Sequence, residues 1–256
     1  MKHIPNIFTL LNLLFGCIAI IMIVQPGLTI TTDETGASFV ILPEKIFLGS
    51  VFIATAAVVD FFDGFIARLF RATSEMGKQL DSLADVVSFG VAPGMIVFQF
   101  LRLSFAQQED GLDISAIWLI PAFVLPCAGA YRLARFNISP VNQNGFRGLP
   151  IPAAGLLVAS FPLIYWFTSS VWLIDLFHNI WWWYAIIFII SLLMISSLPM
   201  LALKFSDLGW QKMLPFLILA VIILLSAFIF GWLSVPIAFL SYVILSIIFK
   251  PKDNAL

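Results

Sequence analysis

The sequence predicts an all-α fold, a polytopic membrane helix bundle of about eight transmembrane helices with both termini cytoplasmic, and three observations carry that expectation. Hydrophobic residues make up 61% of the chain and charged residues 11%, where a soluble domain is about a quarter charged, and the mean hydropathy is +1.06. Apolar stretches close to the roughly 20 residues a spanning helix needs recur near 5–25, 46–70, 82–106, 114–137, 151–169, 179–200, 213–231 and 233–249. The Lys and Arg residues gather at one set of segment ends, as they do when they set orientation.

The first segment, "HIPNIFTLLNLLFGCIAIIMIV" at 3–24, is long enough to span and lacks a small-residue cleavage site with a soluble domain after it. It is expected to be a retained anchor, not a signal peptide. Cys17 and Cys127 fall inside apolar segments and read as small packing residues, not as a disulfide or a metal pair. His3, at the start, and His178, on the outer side, read as interfacial residues. The net charge is -1 and the basic residues are scattered, with no basic stripe interleaved with aromatics, so nucleic acid is not an expected partner.

With alternating segments and the N-terminus inside, Lys2, Arg68, Arg71, Lys78, Arg132, Arg135, Arg147, Lys204, Lys212, Lys250 and Lys252 fall on the inner side, and only Lys45 and Arg102 fall outside. Trp118, Trp166, Trp172, Trp181, Trp182, Trp183 and Trp232 lie at the opposite ends, where an interfacial aromatic belt would sit.

The stretch "VVDFFDGFIARLFRATSEMGKQLDSLADVVSFG" at 58–90 puts Asp60, Asp63, Asp81 and Asp85 into this apolar chain. On the expected topology the second segment runs inward, the polar link "ATSEMGKQL" at 72–80 turns at the cytoplasmic face, and the third segment climbs back from Asp81. Asp60 and Asp63 are then i,i+3 neighbours and Asp81 and Asp85 i,i+4 neighbours, so each pair projects from one helix face. Eight residues separate Asp60 from Arg68, about 12 Å of helix, which places Asp60 within the bilayer and calls for a cavity open to the cytoplasm. Gly64 and Ala67 share the face of Asp60, where small residues either leave room for a bulky group or allow close helix packing.

An aspartate at the centre of a membrane helix costs roughly 2.5–3.5 kcal/mol. Arg68 could pair with one carboxylate, but four need more. Hard divalent cations take carboxylate oxygens, and two of them about 3.5–4 Å apart form a clamp suited to phosphoryl chemistry. Zinc is disfavoured because no His or Cys lies near. A divalent-cation transporter could also hold intramembrane aspartates, although it would leave Gly64, Ala67, Arg68 and Gly77 unexplained and put an Arg beside a cation path.

The spacing Asp60-x-x-Asp63-Gly64-x-x-Ala67-Arg68, then Gly77, Asp81 and Asp85, resembles throughout the signature of the CDP-alcohol phosphotransferase family. Within that family "IPNIFTLLNLLFG" at 4–16, "LDSLADVVSFGVAPG" at 80–94, "YRLARFN" at 131–137 and "FRGLPIPAA" at 146–154 resemble the members that use serine as acceptor. The resemblance covers roughly the first 155 residues. It implies transfer of a phosphatidyl group from CDP-diacylglycerol to L-serine with release of CMP, dependent on two divalent cations, Mg2+ or Mn2+, and carried out by a homodimer in the cell membrane.

Carried onto this chain, the resemblance makes Asp60, Asp63 and Asp81 metal ligands and gives Asp85 both metal binding and the role of general base toward the serine hydroxyl. Gly64, Ala67, Arg68 and Gly77 would line the nucleotide site. Arg132 and Arg135 are either positive-inside anchors or ligands for the serine carboxylate or the lipid phosphate, and Arg147 either covers the substrate mouth or sits in a plain connecting loop. The same chemistry with another acceptor (glycerol 3-phosphate, an inositol phosphate or choline) stays open. The expected organisation is a single integral membrane domain over 1–256, with the catalytic hairpin and substrate cavity mainly within 1–155 and additional helices over 156–250 that carry no readable motif.

Overall fold

In apolar surroundings the backbone must satisfy its own polar groups, and the helix does so within one segment; the chain is accordingly helical nearly throughout. The computed structural model describes residues 4–25, 27–32, 38–69, 74–108, 111–138, 146–201 and 210–249, without some side chains at element ends, among them those of Ala67, Arg68, Arg147 and Lys212. The helices are α1 (Ile4–Val24), α2 (Ile46–Leu69), α3 (Glu75–Asp85), α4 (Ala92–Ala106), α5 (Val124–Ile138), α6 (Ile151–Phe167), α7 (Val171–Phe177), α8 (Ile180–Ile195), α9 (Trp210–Phe230) and α10 (Ser234–Ile248). A π-helical segment, Val86–Val91, joins α3 to α4. Two short antiparallel ribbons depart from the all-α expectation: β1 (Thr29–Thr32) with β2 (Ser38–Ile41), and β3 (Phe146–Arg147) with β4 (Pro199–Met200). Both lie in the connections between helices.

Among the described residues five helical runs are long and apolar enough to cross a membrane: Asn6–Val24, Ile46–Ile66, Glu75–Ala106, Ala116–Ile138 and Met213–Ile248. Val171–Phe177 and Ile180–Ile195 meet at 71° and make a sixth if taken together, and Ile151–Phe167 is a shorter apolar helix. The eight stretches expected from the sequence differ from this mainly in two places. The run 213–248 is nearly continuous, interrupted at Gly231, whose φ of +54° suits a residue without Cβ; α9 and α10 pack on each other across that break. The stretch near 151–169 contracts to the 17 residues of α6.

Helix α1 packs along α2 and also against α3, the π segment and α4. Helix resumes earlier than the sequence suggests: Ser74 caps α3, its Oγ accepting from the Gly77 amide at 3.0 Å, so the helix starts at Glu75 and Asp81 stands inside it. Such a cap satisfies one of the donors every helix start leaves open. Pro152 falls in the first turn of α6, where a missing N–H has no intrahelical partner to lose.

Three helices approach the π segment closely. A Cβ on Gly16 of α1 would stand 2.9 Å from the Cα of Ser88, one on Gly90 would stand 3.2 Å from the Cα of Pro126 in α5, and one on Gly155 of α6 would stand 2.9 Å from both the Cα and the carbonyl oxygen of Phe89. Glycines are what allow these approaches. Above them lies an aromatic core in which Phe100 stacks on Trp183, ring centroids 4.6 Å apart and planes at 19°, with Phe161 edge-on to the same indole at 5.5 Å.

Two expectations change here. Trp183 is not interfacial: it is fully buried, and its indole N–H donates to the Phe177 carbonyl at 2.8 Å, because the 71° bend turns the start of α8 inward. Trp118, Trp172, Trp181 and Trp232 are exposed as a belt requires. Cys17 and Cys127 are free, as expected, but exposed and not packed inside; on a surface bathed in hydrocarbon a thiol need not be buried to leave water. Lys2, Arg71, Lys204, Lys250 and Lys252, all in the inner basic set, lie outside the described residues.

Gly155→Ala should destabilise the bundle by about 1–3 kcal/mol, the range for overpacking a tight contact, because two of the three atoms it meets belong to the Phe89 backbone. Gly27→Ala, with nothing within 4 Å of its Cβ, should be near neutral. Thermal denaturation of the two variants in detergent checks this, with an equal loss in both counting against the close packing at Phe89.

Candidate active site

Polar residues in α1 recur at Asn6, Thr9 and Asn12 on a helix whose other residues are apolar or small. Their i,i+3 spacing gathers them on one face, and that face turns toward α2 and α3. Thr9 and Asn12 are buried. The Thr9 hydroxyl donates to an oxygen of Asp63, and the Asn12 side-chain amide donates to Oδ1 of Asp85 at 3.4 Å. The backbone carbonyl of Asn12 accepts from the Ser88 hydroxyl at 3.0 Å, fixing α1 to the π segment directly below Asp85. The Asn12 side-chain oxygen is buried without a partner.

Asp60 from α2 and Asp81 and Asp85 from α3 each bring a carboxylate oxygen to within 4.8 Å of the others. Asp63, buried and turned toward Thr9, stands beside this trio within electrostatic range of Asp60 and Asp81. At such separations each pair of charges repels by about 3 kcal/mol, even at an effective dielectric of about 20.

The donor set fits a hard divalent cation. Its ligands are carboxylate oxygens, and no His or Cys belongs to the group. Oxygens bound at about 2.0–2.6 Å from one ion lie within about 4–5 Å of each other, the spacing observed here.

Of the glycines in the motif, Gly64 is exposed, and a Cβ there would meet nothing within 4 Å. Among the described residues it leaves open space on α2 next to Asp63. Gly77 is different. A Cβ at that position would stand 3.0 Å from the capping Ser74 Oγ and 3.2 Å from Oδ1 of Asn6, so its smallness lets α1 approach the capped turn. The side chains of Ala67 and Arg68, which complete the motif on α2, lie outside the described residues, as does that of Arg147.

The two arginines of α5 part company. Arg132 is 5% exposed, stands in the electrostatic field of Asp85, and has its Nε buried without a partner. Arg135 instead directs both terminal nitrogens at the end of α8, donating to the carbonyls of Ile195 and Ser196, each at 2.9 Å. At the same end of α5, Lys78 of α3 donates to the Asn137 carbonyl at 3.1 Å, and the Asn137 amide donates to the Ser82 hydroxyl at 2.8 Å.

Sequence reasoning missed Thr9, Asn12 and Asn137. The signal for the first two was present, as polar residues three apart in a strongly apolar helix. Asn137 carried none, since its partners come from a helix more than fifty residues earlier.

Residues 2–181 match the family model for CDP-alcohol phosphatidyltransferase. The chain is similar to a Helicobacter pylori (strain J99) CDP-diacylglycerol–serine O-phosphatidyltransferase, with 43% identity over 108 residues, 41% of this chain and 42% of that protein. It is similar to proteins of the same name from Bacillus subtilis (33% over 163 residues, 63% of this chain and 77% of that protein) and Methanocaldococcus jannaschii (40% over 109 residues, 43% and 47%). The matched stretches thus take in less than half the length of the H. pylori and M. jannaschii proteins. With 2–181 of its 256 residues matched by one model, and with that model's span containing the whole aspartate cluster, the chain belongs to the CDP-alcohol phosphatidyltransferase family.

Proposed function

We propose that this chain transfers the phosphatidyl group of CDP-diacylglycerol to L-serine, giving phosphatidylserine and CMP, at a site within the bundle that opens to the cytoplasm. The observation that carries the proposal is the convergence of Asp60, Asp81 and Asp85 within 4.8 Å, beside open space at Gly64. The names of the H. pylori, B. subtilis and M. jannaschii relatives supply the donor and the acceptor.

On this reading Asp60, Asp63, Asp81 and Asp85 hold two divalent cations, Mg2+ or Mn2+. Bound there, the cations neutralise charge on the pyrophosphate oxygens. Asp85 takes the proton of the serine hydroxyl as that oxygen bonds to the lipid-bearing phosphorus and the bond from phosphorus to the CMP oxygen breaks, a task that needs a carboxylate within hydrogen-bond reach. Asn12 orients Asp85 through Oδ1, and Thr9 holds Asp63. Gly64, Ala67, Arg68 and Gly77 line the nucleotide site, with the Arg68 fork on a phosphate. Arg132 receives the serine carboxylate. Arg135, through its bonds to α8, keeps α5 where Arg132 is needed, and Arg147 lies at the mouth.

A lipid-linked donor also suits the location. Its acyl chains remain in the bilayer while serine and CMP exchange with water on the inner side. The reading includes a single integral membrane domain with eight spans, both termini cytoplasmic, acting as a homodimer.

Purified protein given CDP-diacylglycerol and a panel of alcohols should release CMP fastest with L-serine. Faster release with glycerol 3-phosphate would move the acceptor while leaving the transferase in place. Arg132→Ala removes a charge-assisted hydrogen bond worth roughly 1.5–3 kcal/mol, so the KM for serine should rise about ten- to a hundred-and-fifty-fold, with the KM for CDP-diacylglycerol moving much less. A weakened donor lipid with serine unaffected would assign Arg132 to the lipid phosphate.

Asp60→Asn, Asp63→Asn and Asp81→Asn should each abolish turnover and weaken Mn2+ binding measured by paramagnetic resonance. Asp85→Asn should abolish turnover while retaining more donor-lipid binding than the other three. Near-normal activity of Asp60→Asn or Asp81→Asn in the presence of chelator would refute the cation cluster.

In a variant whose two native cysteines are replaced, Asp175→Cys should react with an impermeant thiol reagent only from outside the cell, and Lys78→Cys only from the cytoplasmic side. Labelling of position 175 from the cytoplasm alone would invert the topology.

A further inference from the structure

Asn12 of α1 stands beside Asp85 with half of its side chain unused. Its amide nitrogen donates to Oδ1 of Asp85 at 3.4 Å, whereas its oxygen is buried and, among the described residues, accepts from none. Chemistry dictates that orientation, since an ionised carboxylate only accepts and must face the donor end of the amide. The residue has no exposed surface, and its place is fixed on both sides. Its backbone carbonyl accepts from the Ser88 hydroxyl at 3.0 Å. One turn later Gly16 closes on the Cα of Ser88, and one turn earlier Thr9 donates to Asp63. The other buried side-chain acceptors without partners among the described residues are the hydroxyls of Ser50 and Ser191. Of the three, the Asn12 oxygen is the one on a side chain bonded to a site carboxylate.

A buried acceptor left open costs free energy that a bound donor recovers. The nature of the donor follows from the acceptor alcohol. In L-serine the ammonium sits on the carbon next to the one that carries the hydroxyl. With that hydroxyl at Asp85, the ammonium comes within hydrogen-bond reach of the groups flanking Asp85, and Asn12 flanks it directly. An ammonium offers three donors, and its bond to a neutral oxygen is charge-assisted. A neutral amide oxygen also takes the ammonium without adding another negative charge to a cluster that already holds Asp60, Asp81 and Asp85.

We propose that Asn12 is a specificity-determining residue whose side-chain oxygen receives the ammonium of an amino-alcohol acceptor. The inference rests on Asp85 receiving the serine hydroxyl, and it goes further in naming what selects an amino alcohol.

The test compares L-serine with 3-hydroxypropanoate, which is serine without its amino group, as acceptors in CMP release by the full-length protein with Mn2+ and CDP-diacylglycerol. The wild-type chain should prefer serine. In Asn12→Leu the ratio of the two kcat/KM values should fall about ten- to a hundred-and-fifty-fold, the range for a hydrogen bond to a charged group. Loss of the bond to Asp85 slows both acceptors alike and cancels in the ratio. An unchanged ratio would mean that Asn12 only orients Asp85 and would overturn the inference, as would equal use of the two acceptors by the wild-type chain. Mn2+ affinity by paramagnetic resonance should be largely retained in Asn12→Leu; a loss as large as that in Asp60→Asn would make the oxygen a cation ligand and also overturn the inference. If leucine is not tolerated, Asn12→Ala gives the same comparison, and if turnover is too slow to follow, titration calorimetry with the two acceptors supplies the ratio. Absence of CMP release from the wild-type chain with serine would remove the reading on which the inference rests, and the inference with it.

Discussion

Carboxylates crowded into an apolar bundle repel one another and resist leaving water, and the part of this fold where α1, α2 and α3 meet is arranged around that constraint. The trio Asp60, Asp81 and Asp85 lies within 4.8 Å, which at about 3 kcal/mol per pair is a larger penalty than neutral donors can offset at about 0.5–1.5 kcal/mol each. The neutral donors at hand, Thr9 and Asn12, reach Asp63 and Asp85. They orient carboxylates but do not neutralise them. Protonation of a carboxyl relieves such crowding, and so would a divalent cation among the oxygens, for which the donor set is suited.

Backbone geometry serves the same end. The π segment begins at Val86, after Asp85, so Asp81 and Asp85 keep the α-helical i,i+4 spacing that aims both at Asp60. The wider turn then falls on Ser88, Phe89 and Gly90, and π turns inside α-helices are frequently found at functional sites. Here it is also the packing hub: α1 meets it through Gly16, α5 through Pro126 and α6 through Gly155.

Much of this was legible in the sequence, for physical reasons that can be named. The membrane class follows from apolar run length, which depends only on local composition. The meeting of Asp60 with Asp81 and Asp85 follows from helical periodicity on two connected segments. The involvement of α1 was less accessible: it packs against both α2 and α3, a tertiary choice no spacing rule fixes, although the run of Asn6, Thr9 and Asn12 was a usable signal. The divergence of Arg132 from Arg135 could not be read at all. Three residues apart on one helix, they share a face by periodicity, and only the position of the end of α8 decides that one of them is a cap. Trp183 misled for a similar reason, since an aromatic at the start of an apolar run belongs to the interface unless the helix bends before it.

The end of α8 shows why the helices beyond the family-matched region matter to a site they do not contain. A helix terminus leaves its last carbonyls without intrahelical donors, and within a membrane protein those carbonyls need partners. Three of them near this terminus find one in the segment following α5 or on α5 itself: Leu193 accepts from the Leu149 amide at 3.0 Å, and Ile195 and Ser196 accept from Arg135. The Leu198 carbonyl takes the Gly148 amide at 2.9 Å. Gly148 holds a φ of +75°, with the carbonyl oxygens of Met194 and Ser196 within 2.8 Å of where a Cβ would stand, so the close fit depends on that glycine. Each side thus satisfies polar groups that the other would leave open. The consequence is mechanical: α5, and Arg132 on it, is held in place by hydrogen bonds to a helix that carries no recognisable motif.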